Sequence, residues 1–361
     1  MLMALTFLSL AVGPKAQAVS PPPDGGYPNF TTAEGTNALQ SLTTGSANTA
    51  VGWFSLWGNA KGSFNTATGA GALLFNTADN NTAFGAAAIL FNTTGINSTA
   101  VGTAALLHNT VAEENTATGA FALSTNTEGD FNAATGAFAL WVNTTGQRNT
   151  ATGDSAMFSN TEGNNNTATG NAALGLNTIG DQNTATGAGA LFSNTTGSSN
   201  TAIGSDALSS NTEGGGNTAN GQGALQDNTT GGGNTAIGSG ALLQNNGGDY
   251  NTALGFFALG DLTTGSDNTD VGFSSGNNVT TANNVICIGA GVFGANIDDS
   301  CFIGNIWNQS GGSQAVYVNS AGKLGAQVSS RRFKDEIRPI KQASEVIYGF
   351  RPVSFPLQTG D

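Results

Sequence analysis

His108 is the only histidine in 361 residues, so a histidine-based metal site would need a partner subunit. Its counterparts in neighbouring repeats are Phe91, Thr125, Val142 and Ser159. A position that accepts such different side chains suits a solvent-facing filler, not a catalytic base. The two cysteines, Cys287 and Cys301, fall on opposite faces of strands if each segment is extended, and are expected as small buried thiols, with a disulfide as the less favoured alternative. Asp130, Asp181, Asp249 and Asp267 gather near one turn of the repeat. Calcium-binding rolls need a carboxylate in every nonapeptide, and no nine-residue period exists here. The pairs Thr116/Thr118, Thr150/Thr152, Thr167/Thr169 and Thr184/Thr186 could form a ladder matched to an ice lattice. Elsewhere Val, Ile, Phe or Leu replaces the second Thr, as expected of a core column. No cofactor or metal is implied. The remaining chemistry-bearing stretch is Ser329 to Ile340, which holds Ser329, Arg331, Arg332 and Lys334.

These residues must be positioned by a repeat. Gly returns every seventeen residues from Gly35 to Gly289, with one interval of sixteen between Gly69 and Gly85 (85 − 69). Gly304 ends a shortened unit of fifteen (304 − 289). Such self-similarity is the signature of one supersecondary unit stacked many times, hence of a solenoid. The unit reads N-T-A-x-G-x-x-A-L-x-x-N-T-x-G-x-x, with Asn115 to Gly129 a clean copy. It is too short for a useful helix. Two extended stretches per unit, such as Thr116–Thr118 and Phe121–Ser124, separated by Gly and Asn-Thr turns, predict a coil of two short strands. The Leu column and the β-branched column before the glycine, such as Val51, Val101 and Ile203, are expected to form the core. The Ala columns are expected where backbones approach closely. The column Asn76, Asn92, Asn109 and onward to Asn245 predicts a hydrogen-bonded ladder along the axis. The fold class is therefore all-β: a parallel β-solenoid, or β-roll, of seventeen-residue coils.

Only 9% of residues are charged, and the net charge is −13. Between Lys15 and Lys323 the only basic residues are Lys61 and Arg148. An acidic body repels phosphate backbones, which argues against nucleic acid as a partner. Residues 1–18 combine an apolar run, Leu2 to Val12, with Ala16-Gln17-Ala18, as in a secretory signal. The run is too short for a transmembrane span. A Pro/Gly-rich linker, 19–30, follows. The solenoid is assigned to 31–304 and a β-hairpin neck to 305–328, where Ala315 to Val318 alternate before the turn Asn319 to Gly322. A thin coil buries little apolar surface, and Phe75, Phe91, Trp141, Phe158 and Phe192 stand at variable positions. Association along the rod would cover them.

With these columns in place, the repeats resemble the head repeats of YadA-like trimeric autotransporter adhesins. Those repeats also end a short strand with a small residue, an apolar residue and Gly, as in Thr201-Ala202-Ile203-Gly204. The family unit usually has fourteen residues, against seventeen here. The resemblance implies left-handed β-rolls packed three around an axis, hence a homotrimer.

The segment from Ser329 resembles the opening of the intramolecular chaperone domain of phage endosialidase tailspikes. Ser329, Arg332 and Lys334 match its motif, while Ser330 replaces an Asp. Ala343 to Ile347 match its helix, and Arg351-Pro352-Val353-Ser354-Phe355 match its continuation. That resemblance implies a domain that trimerises, helps the upstream β-structure wind, and cuts itself off. Ser329 would be the nucleophile, Lys334 the base, and the cut would fall between Val328 and Ser329. A Lys whose pKa is lowered by burial can deprotonate a Ser hydroxyl without a histidine. Residues 329–361 number 33 (361 − 329 + 1), fewer than the family's complete domain, and are expected to be its N-terminal part, with a short α-helix. The expectation is a secreted or cell-surface, adhesin-like fibre, at most a single-turnover Ser-Lys autopeptidase. The alternatives are a phage tail-fibre protein with the same chaperone, and an ice- or calcium-binding solenoid.

Overall fold

A computed structural model of the chain describes residues 28–305 together with the strands Val316–Val318 and Leu324–Ala326. Seventeen strands of three residues each, β1 (Thr32–Glu34) to β17 (Cys301–Ile303), form one sheet in which every strand pairs in parallel with the next. The register follows the repeat: Thr99 lies beside Thr116, Ala100 beside Ala117, Val101 beside Thr118. The sixteen-residue step joins β3 (Thr66–Thr68) to β4 (Thr82–Phe84), and the fifteen-residue step joins β16 (Ile286–Ile288) to β17. Sixteen intervals of ~4.8 Å make a sheet roughly 75 Å long. The chain is an all-β parallel solenoid, as the glycine spacing predicts. A separate unit holds β18 (Val316–Val318) and β19 (Leu324–Ala326), paired antiparallel within the expected hairpin. Residues 1–27, and the expected chaperone segment with its helix, lie outside the described residues.

Each coil has one strand, not two. The Ala-Leu stretch is a turn, because its residues visit the left-handed region. In the coil after β6 (Thr116–Thr118), Phe121 has φ 59° and Leu123 has φ 50°. A third such residue, Phe131 at φ 59°, leads into the next strand. Strand geometry cannot include these angles. Non-glycine residues held there cost energy, and burial of the Leu side chain offsets it.

The core also differs from expectation. In β6 the middle residue, Ala117, is fully buried, while Thr116 and Thr118 face outward. The same holds for Val51, Val101 and Ile203, which are 37–42% exposed beside fully buried Ala50, Ala100 and Ala202. The β-branched column is thus outside and the Ala column inside. A seventeen-residue coil is narrow, and the strand faces the Ala-Leu turn of its own coil closely enough to leave room for a methyl group. The Leu column is buried as predicted, from Leu56 through Leu123 to Leu259.

The seventeen-residue glycine has a steric reason. Gly119 has φ +135°, and a Cβ there would stand 2.3 Å from the carbonyl oxygen of Gly136, one coil along. No side chain fits that gap.

Candidate functional surface

Outward from this core, each conspicuous polar column is committed to joining coils. Asn143 donates through Nδ2 to Asn126 Oδ1 (2.7 Å) and to the Gly146 carbonyl (2.9 Å). Its own Oδ1 accepts from Asn160 Nδ2 at 2.8 Å. The predicted ladder is therefore present, and it stops for a visible reason. Asn245 Oδ1 has no partner where Leu262 replaces the next Asn. A second ladder, which the sequence reading did not identify, runs just before the strands. Asn132 Nδ2 donates to the Gly146 carbonyl at 2.8 Å, and its Oδ1 accepts from the Asn149 backbone N–H at 3.0 Å. The Asn of the N-T-A motif was its signal. Thr hydroxyls add a third column, with Thr144 Oγ1 donating to the Thr161 carbonyl at 3.0 Å.

Three of the four acidic turn residues have the same occupation. Asp130 Oδ1 accepts from the Glu113 backbone N–H (2.8 Å), Asp181 Oδ1 from Asn164 (2.6 Å) and Asp249 Oδ1 from Gly232 (2.7 Å). Each carboxylate caps the turn one coil back. Among the described residues no three His, Cys, Asp or Glu side chains converge as metal ligands would.

His108 is exposed. Its ring stacks on Phe91 at 5.1 Å, and Nδ1 lies 3.1 Å from the Ser124 carbonyl. It extends an aromatic column in which Phe75 stacks on Phe91 at 5.6 Å. Cys287 and Cys301 do point to opposite sides. Cys287 is buried in the Ala column, but Cys301 is exposed on the outer face, which corrects the expectation of two buried thiols. Ser329, Lys334 and the Val328–Ser329 bond lie outside the described residues.

One coil breaks the apolar core. In β15 (Thr269–Val271) Asp270 occupies the Ala column, Ser275 replaces an Ala, and Gly276 replaces the core Leu. The carboxyl fills the space the missing Leu leaves, since a Cβ on Gly276 would stand 2.4 Å from Asp270 Oδ1. Ser275 Oγ lies 2.7 Å from Asp270 Oδ1 and 3.0 Å from the Cys287 carbonyl. A hydroxyl has one proton to give. If that proton goes to the carbonyl, Asp270 must donate to Ser275, and only a protonated carboxyl can. Burial pushes the Asp270 pKa up to about 6, against hydrogen bonds that lower it. Burial, then the Asp270 charge, pushes the Cys287 thiol up to about 12. Asp270 Oδ2 has no partner.

The outer face of the sheet remains. It carries two side-chain columns, and across all seventeen strands the only charged side chain that points outward is Glu34, in β1. The Thr pairs form an unbroken outward block on β8 (Thr150–Thr152), β9 (Thr167–Thr169) and β10 (Thr184–Thr186). They are surface, not core.

Fold and surface together define a parallel β-solenoid repeat protein with a nearly uncharged outer sheet face. No protein-family model, curated protein or solved structure matches the chain. Among the described residues no helix is long and apolar enough to cross a membrane.

Proposed function

We propose that this chain is a structural, adhesin-like fibre protein that is exported, assembles as a homotrimer, and is wound with the help of the segment that begins at Ser329. One observation carries the reading. Seventeen strands repeat in register, and the buried Asn, the turn Thr and the capping Asp are spent on holding one coil to the next. A surface built this way serves length and stiffness, with turnover confined to a single self-cleavage by Ser329 and Lys334.

The test is expression of the complete gene. The chain is expected to yield two fragments, with the new N-terminus at Ser329 by mass spectrometry. Ser329→Ala and Lys334→Ala should each give one uncut polypeptide. If both variants still split before residue 329, the dyad assignment is wrong. Export is tested separately: a mature N-terminus following Ala18 in the native host supports it, and an unprocessed chain retained in the cell counts against it.

A further inference from the structure

We infer that the outer face of the β1–β17 sheet is the surface on which a second copy of this chain packs. The inference rests on the fibre reading and names the face that assembly uses. Charge is the first argument. The chain carries 23 acidic residues, yet the face carries one, Glu34 at its end. The turns hold the others of the described coils, except buried Asp270. Two copies of a chain with net charge −13 repel each other through their turns and can approach only where the carboxylates are missing.

Composition is the second argument. Val51, Phe84, Val101, Ile203, Ile237 and Val271 all stand in one outward column and are 37–59% exposed. Thr fills the same column between them, from Thr118 to Thr186. The face is thus mostly β-branched, with Asn220 the one amide in this column, and apolar toward both ends. Area is the third argument. A sheet roughly 75 Å long and about 10 Å wide offers about 750 Å². A stable pairing needs about 800 Å² from each partner. The aromatic column at Phe75, Phe91 and His108 is a weaker candidate, because those rings already stack on one another along the rod.

The experiment compares the whole chain with two charge variants by sedimentation velocity. Val101→Glu combined with Ile203→Glu places like charges on the face. Thr196→Glu adds the same charge type to a turn column that already holds Glu128, Glu162 and Glu213. The wild type and Thr196→Glu are expected as oligomers, and the face variant as a monomer with an unchanged circular dichroism spectrum. A milder pair guards against misfolding. In a Cys301→Ser background, Thr152→Cys should be at least tenfold slower to react with a maleimide than Thr196→Cys. An oligomer indifferent to the face charges, or equal thiol reactivity, overturns the inference and leaves the fibre reading standing. A monomeric wild type overturns the inference and the assembly part of the fibre reading together. A monomer that also shows thermal hysteresis would assign the Thr block to ordered water instead.

Discussion

Asp270 is a carboxyl placed where all fourteen preceding strands have an alanine methyl, and the cost depends on pH. Its pKa is raised from 3.8 to about 6 in the folded protein, so folding favours the protonated form. The sign follows. This contribution is fully present below pH 3.8 and is lost as pH rises through about 6. The loss amounts to about 3 kcal/mol at 1.36 kcal/mol per pKa unit. Asp270→Asn keeps the shape without the charge. Its melting temperature is expected to exceed that of the wild type above pH 7, with the gap closing near pH 4. Equal gaps at both pH values would show that Asp270 does not titrate in this range. Among the described residues no Lys or Arg stands against it: Ser275, Gly276 and Cys287 are its polar and backbone surroundings.

Glycines separate by the same kind of reasoning. Gly119→Ala must fit a Cβ 2.3 Å from a backbone oxygen at φ +135°, and should cost about 3 kcal/mol or more in urea denaturation. Gly291 has φ +67° with nothing within 4 Å, so Gly291→Ala meets only the left-handed penalty of about 1 kcal/mol. Similar losses at both sites would refute the close-approach explanation of the seventeen-residue glycine.

At the scale of the coil, the Asn ladder replaces much of what a wider core would supply. An amide suits this place because it donates and accepts at once. Asn143→Asp removes the donor and leaves a carboxylate facing the Gly146 carbonyl and Asn126 Oδ1. The expected loss is about 3 kcal/mol or more near neutral pH, smaller in acid where the carboxyl is protonated and can donate again. Chemical denaturation at pH 4 and pH 7.5 checks both the size and the sign. Because each coil touches only its neighbours, the damage should stay local, and hydrogen exchange should rise most in the coils around residue 143. Uniformly faster exchange along the rod would argue for a single cooperative unit.

At the scale of the whole molecule, fold class, coil length and strand register were legible from glycine spacing alone, including the steps of sixteen and fifteen. The first Asn ladder was legible because its column never varies from Asn76 to Asn245. The inside and outside of the strand were not. Val, Ile and Thr beside a glycine look like a core column, whereas the column of Ala, unbroken from Ala33 to Ala253, marked the interior by its small size. The second strand was misread because Leu and Ala say nothing of φ. Three left-handed residues per coil are imposed by closing the turn, not by local preference. The reading of the Ser329 segment rests on likeness to a family alone, since Ser and Lys five residues apart occur in many chains, and the segment lies outside the described residues.

The sequence by itself determined that one unit is stacked, how long it is and where it stops, because a periodic backbone demands the same small residue at each close approach. The tertiary structure alone decided which way each side chain points. That direction is set by the width of the closed coil, which leaves a methyl inside and sends Thr, Val and Ile to a face nearly free of charge.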